Sequence, residues 1–311
     1  MTGRTMREIP EAEMSELRRW QIGRYGEAIA ADPECAEAYV ERGAAYHLLE
    51  LRAEAVADMR RAFELEPADP HLYEMMAWPF EDGEARTILR AGLRRVASGT
   101  RIHRMLRDSF ARTYWYDGDY QKYVELLEQA IPTLGSEPQE QRLAWNKLGN
   151  GYTALGQHEK AEAAYRAAHG VEVPGRALQD PQLIVRAAMH GGDYARAKVV
   201  LAEFAGELRP ELRAVLGAVL EVLSEPGSPA ARKTSLANIG AAKSLAAGSR
   251  RAGSASYYSF LGGVLHLGAG RTAEARDLLQ RFAAEAEANA TEWRITLRWE
   301  IAKARELAQG S

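Results

Sequence analysis

The sequence predicts an all-α protein of stacked helix hairpins, and three observations carry that prediction. Ala, Leu, Glu and Arg dominate a chain of 311 residues with few β-branched runs, a composition that favours helix. Apolar residues recur at spacings of three and four, the period of an amphipathic helix. A pattern of small and aromatic residues returns at intervals of roughly 34 residues, the length of one helix–turn–helix hairpin.

Taken in order, residues 1–10 are expected to be flexible, with the helical array running from 11 to 308 as a single domain. In 36–67, Gly43 stands three residues before Tyr46 and Ala55 nine after it, followed by Met59, Ala62 and the closing Pro67. Residues 70–100 repeat the scheme with Tyr73 and Ala77, but Pro79 lacks an N–H and should end the first helix early. That leaves Trp78 and Phe80 on an irregular turn. In 104–135 the small residue is Ala111, Tyr114 follows, and Gly118 breaks the hairpin before Tyr120 and Tyr123. The connection around Pro138 is stretched, and 142–174 then gives the fullest unit: Trp145, Gly149, Tyr152, Gly156, Ala161, Tyr165, Ala168 and Pro174. Looser units follow at 178–207, 209–247 and 256–288, with AGSRRAGSAS (247–256) reading as a linker. A terminal helix is predicted over 291–308, with Thr291 as its N-cap.

The physical sense of the pattern is stacking. Small residues let two helices approach, large apolar residues fill the gaps between hairpins, and no hairpin buries its faces without neighbours.

This arrangement resembles the tetratricopeptide repeat family, whose W-x2-L-G-x2-Y…A-x3-F…P pattern is matched most fully by 142–174 and 36–67. The resemblance implies a right-handed superhelical solenoid of about seven helix pairs plus terminal helices. It also implies a concave groove, lined by the first helix of each pair, that receives an extended peptide or a partner helix. The positions that would face it include His71, Glu74, Trp78 and Glu81; Met105, Asp108, Arg112 and Trp115; Leu143, Asn146, Asn150 and Thr153; and Gln179, Gln182, Arg186 and Met189.

From these, the expected partner-binding set is Trp78, Arg112, Trp115, Tyr116, Asn146, Asn150, Gln182 and Arg186. An Asn amide offers a donor and an acceptor to a peptide unit, Arg112 and Arg186 suit a carboxylate, and Trp78, Trp115 and Tyr116 suit an apolar side chain. Trp115 and Tyr116 stand out because they follow the packed Tyr114 at the end of a first helix, where other units carry His47 and Leu48 or Thr153 and Ala154. The Lys/Asn set with which some relatives grip chaperone tails is incomplete, since Asn146 and Asp108 stand where cations belong.

Other chemistry finds little support. A net charge of −3 and a pI near 6.2 argue against non-specific nucleic-acid binding. A single cysteine, Cys35, excludes an internal disulfide and a multi-cysteine metal site. The seven histidines show no close metal-ligand pairing, no serine sits in a nucleophile elbow, and Ala269 occupies the place of the lysine a phosphate loop needs. No signal peptide or membrane span is read. The expectation is a cytosolic, non-catalytic interaction module with no cofactor and a protein or peptide partner. A regulatory sensor for a small peptide or metabolite is the alternative, and an enzyme on a helical-repeat scaffold comes third.

The terminal helix carries two apolar stripes, Ile295, Trp299 and Ala302 on one side and Trp293, Leu297, Ile301 and Ala304 on the other. An end helix needs only one apolar face. The second stripe, through Trp293, Leu297 and Ile301, is therefore expected to support self-association or partner docking, the alternative being that the helix tucks between both helices of 256–288.

Overall fold

The structure, a computed structural model, describes residues 11–135, 137–173, 180–249, 252–288 and 295–310. The described residues form sixteen α-helices and no strand. The chain divides into two compact units, with the division between Tyr123 and Val124.

The first unit contains α1 (Glu11–Ala31), α2 (Ala36–Leu48), α3 (Arg52–Glu64), α4 (Leu72–Met76), α5 (Asp82–Arg94), α6 (Arg101–Asp117) and the first turn of α7 (Tyr120–Ala130). Its core joins Val40, Met59, Tyr73, Met76, Ile88, Leu89 and Leu106, one or two from each of α2 to α6. The small position at Gly43 works as expected, since a Cβ there would meet the Met59 side chain at 3.1 Å. Gly92 of α5, not singled out in the sequence, plays the same part, with a Cβ 2.6 Å from the Tyr73 Cβ. Helix α4 is only five residues long, and the chain turns through Ala77–Phe80 as Pro79 requires. Thr100 caps α6 by accepting the His103 N–H (3.1 Å). Gly118, with φ +82°, ends the same helix in the left-handed conformation.

The second unit takes the rest of α7, then α8 (Pro138–Ala154), α9 (His158–His169), α10 (Asp180–His190), α11 (Tyr194–Glu203), α12 (Pro210–Ser224), α13 (Pro229–Ala247), α14 (Ala252–Gly268), α15 (Thr272–Ala288) and α16 (Arg298–Gln309). Gly149 lies so close to Tyr165 that a Cβ would stand 2.5 Å from its ring. Farther along, Val215, Leu216, Val219 and Leu220 of α12 and Phe260, Leu261, Val264 and Leu265 of α14 are buried, with Phe260 5.5 Å from Phe282.

Two expectations are corrected. The linker read at 247–256 is much shorter, because α13 continues to Ala247 and α14 starts at Ala252. The terminal helix does not run unbroken over 291–308: the backbone turns at Leu297 and α16 starts at Arg298. Thr291 and Trp293 lie outside the described residues.

Candidate functional site

In the first unit, α2, α4 and α6 surround a cavity of about 260 Å³ lined by His47, Glu74, Trp78, Phe80, Arg112 and Tyr116 among others. The early end of α4 shapes it. Once Pro79 stops the helix, Trp78 leaves the packed face and remains 39% exposed, with Tyr116 opposite at 49%. Glu74 organises the polar part. Its Oε2 accepts the Trp78 indole N–H (2.9 Å), its Oε1 accepts the hydroxyl of buried Ser109 (3.2 Å), and Arg112 Nη2 lies 3.7 Å away. Arg112 Nη2 also donates to Ser109 Oγ (3.3 Å). His47 faces Trp78 at 6.2 Å between ring centroids. The result is an apolar-walled groove with a half-exposed guanidinium, in which the carboxylate is already engaged.

Trp115, expected beside these residues, is elsewhere. It is 6% exposed and packs against Tyr120 (5.3 Å) and Tyr123 (5.1 Å) of α7. Successive helix positions point about 100° apart, so Trp115 turns to Tyr120 and Tyr123 while Tyr116 faces the groove. Glu81, another implied groove position, pairs with Arg52 (2.7 Å).

The second unit uses the equivalent positions differently. Asn150, Thr153, Tyr165, Leu183, Arg186, His190 and Thr296 line a cavity of about 10 Å³, room for roughly one water. Arg186 of α10 donates through Nε (2.6 Å) and Nη2 (2.8 Å) to the two carboxylate oxygens of Glu300 in α16. Its Nη2 also donates to the carbonyl of Thr296 (2.5 Å), the residue before the turn at Leu297, and its guanidinium lies 4.9 Å over the Tyr257 ring. His190 Nε2 lies 2.8 Å from Glu300 Oε1, and its ring stacks on Trp299 at 4.4 Å. Asn150 is also committed, its Oδ1 accepting the Tyr165 hydroxyl (2.8 Å). Gln182 and Asn146 are half-buried, Met189 is buried, and Gln179 lies outside the described residues.

Glu300 is fully buried. Burial alone would raise its carboxyl pKa, but the charges and hydrogen bonds of Arg186 and His190 outweigh that and hold it well below the ordinary range. Burial pushes the His190 imidazole below its ordinary value against the pull of Glu300. A neutral His190 then carries its proton on Nε2 to meet the carboxylate. Sequence reasoning missed Glu300 and Tyr257 because they stand 114 and 71 residues downstream of Arg186, far outside any helical spacing. It missed His190, one turn after Arg186, because its partner Glu300 is equally distant in the chain.

The expected self-association edge is likewise corrected. Leu297 and Ile301 are buried within the chain, as are Ile295 and Ala304. Helix α16 packs on both α14 and α15, which is why it carries two apolar stripes. Among the described residues, no three His, Cys, Asp or Glu gather as a metal-binding set, and no helix is long and apolar enough to cross a membrane.

The family model for the tetratricopeptide repeat matches residues 36–69 and 143–169. No curated protein matches the sequence. Among solved structures, the chain is similar to yeast Tom70, at 14% identity with a TM-score of 0.50, covering 97% of this chain and 61% of Tom70. It is also similar to the APC/C hetero-tetramer Cut9–Hcn1 (13% identity, TM-score 0.48, 95% of this chain and 59% of the other). A third is PilF of Pseudomonas aeruginosa (17% identity, TM-score 0.43, 70% and 94%). The chain thus spans about three fifths of the first two.

Proposed function

We propose that the chain, whose residues 36–69 and 143–169 match the tetratricopeptide repeat, acts as a non-catalytic interaction scaffold, receiving a partner protein's extended segment in the groove of its first unit. The observation that supports this is the pairing of exposed Trp78 and Tyr116 with half-exposed Arg112 around one cavity. The Trp78 N–H is taken by Glu74, so the indole offers its apolar surface to a ligand. Arg112 touches Ser109 and Glu74 through Nη2 alone, leaving its other N–H groups for a carboxylate or a peptide carbonyl. The segment that fits presents an apolar side chain beside such an acceptor. Trp, Tyr and Arg anchors of this kind commonly dominate binding, and a shielded Arg–carboxylate bond is worth about 1.5–3 kcal/mol.

Affinity capture from lysate of the source cell, with the wild type beside Arg112→Glu and Trp78→Ala, tests the reading. A protein retained by the wild type and lost by both variants, with helix content unchanged by circular dichroism, is the expected result. Equal retention by all three would place the partner surface elsewhere.

A further inference from the structure

The first unit separates its charges sharply along the sequence. Residues 11–84 hold eighteen Asp and Glu against seven Arg and no Lys, while residues 85–107 hold seven Arg, one His and no acidic residue. Those arginines fall on α5, on the start of α6 and on the loop between them. Two are engaged by carboxylates, Arg86 with Asp117 (3.0 Å) and Arg95 with Glu66 (2.8 Å). Arg90, Arg94 and Arg101 are exposed and meet no carboxylate among the described residues; Arg90 lies 5.6 Å over the Phe110 ring.

Part of this concentration is engaged within the fold, since Arg104 also donates to the Gly99 carbonyl (2.5 Å) and Asp108 lies near Arg107, but Arg90, Arg94 and Arg101 point their charge to solvent. The first turn of α6 contains no acidic residue, although the positive end of a helix favours one, and Arg101 and Arg104 stand there instead. The crowding is felt locally: burial and the charge of Arg104 lower the pKa of Arg107, and burial together with Arg107 and Arg104 lowers that of His103. Cations held together against their own repulsion and a helix dipole mark a surface that gains from an anionic partner.

We propose that the α5–α6 face is a docking surface for an acidic stretch of a partner polypeptide, separate from the aromatic groove. The reach of the patch sets the length of that stretch. From Arg90 to Arg94 the helix rises about 6 Å, which an extended chain covers in about two residues, and Arg101 at the start of α6 extends the patch, so a short run of Asp or Glu fits. A nucleic acid suits the unit less well, because a longer polyanion would run into the acidic excess of residues 11–84.

The test uses the full chain and a fluorescein-labelled hexaglutamate peptide, read by fluorescence anisotropy. A hexaglutamine peptide and a uridine dodecamer of single-stranded RNA run in parallel. Hexaglutamate is expected to bind at least tenfold more tightly than hexaglutamine, and to weaken about tenfold between low and physiological salt as screening sets in. The R90E/R94E/R101E variant, altered only at exposed positions, should lose that binding, whereas Arg112→Glu in the groove should keep it. Equal binding of the two peptides, unchanged binding by the triple variant, or tighter binding of the uridine dodecamer would overturn the proposal. The peptide comparison needs no protein variant, so it decides even if the triple variant fails to fold.

Discussion

Helix α6 of the first unit and helix α10 of the second each carry an arginine one residue beyond a packed small or apolar position, and the two arginines meet opposite fates. Arg112 stays half-exposed beside Trp78 and Tyr116, steadied by Ser109 and Glu74. Arg186 is closed in by Glu300, Thr296 and Tyr257. The helical register is the same; what differs is whether a distant part of the chain returns to cover the face. In the second unit residues 295–301 do so, and in the first, among the described residues, the rings of Trp78 and Tyr116 remain open. A face that can bind a partner segment can thus be consumed by the chain's own, and a repeat pattern read one unit at a time does not distinguish the two.

The largest expected effect comes from breaking the covered face. Glu300→Ala strands Arg186 in a buried site without its counter-charge and should cost about 3–5 kcal/mol in chemical unfolding. The matching change in the open face, Glu74→Ala, should cost far less, since Arg112 is half-exposed to water.

Next in size is Gly149→Ala. The new methyl would collide with Tyr165, whose hydroxyl is tied to Asn150, so the hairpin must open by about 1–3 kcal/mol. A smaller but signed effect is pH dependence. His190 has a folded pKa depressed below the ordinary histidine value of 6.5, and Glu300 one depressed below the ordinary glutamate value of 4.5, so the unfolded chain binds more protons at both sites on acidification. Stability should therefore begin to fall as the pH drops below about 6.5 through His190, and fall again below about 4.5 through Glu300. His190→Asn should reduce the first part of the unfolding curve's pH dependence, the remainder coming from His103, His158 and His266, whose pKa values burial also lowers. Smallest of all, Trp78→Ala and Tyr116→Ala should change stability by less than about 0.5 kcal/mol, because both rings are exposed.

The hairpins were legible in the sequence because their determinants are local: Gly149, Tyr152 and Ala161 sit at fixed offsets within one repeat, and Pro79 announces its own break. Local logic also singled out Trp78, Arg112 and Tyr116, which the fold brings to one cavity. It failed for Trp115, which is buried against Tyr120 and Tyr123, and for Asn150 and Arg186, whose partners lie in other helices. Glu50 shows the same limit at the backbone. It adopts φ +60° in the α2–α3 turn, where the turns at 118, 156, 192 and 270 use glycine, and nothing in its side chain signals that conformation.

The contrast between an open and a consumed face is tested most directly by hydroxyl-radical footprinting of the full chain, with mass-spectrometric readout at individual rings. Trp78 and Tyr116 should be oxidised rapidly, while Tyr165 and Tyr257, sealed behind Arg186 and α16, should be protected until the chain unfolds. Oxidation of Tyr257 and Tyr165 at rates matching Trp78 under native conditions would show that the second face is also open and would contradict the account.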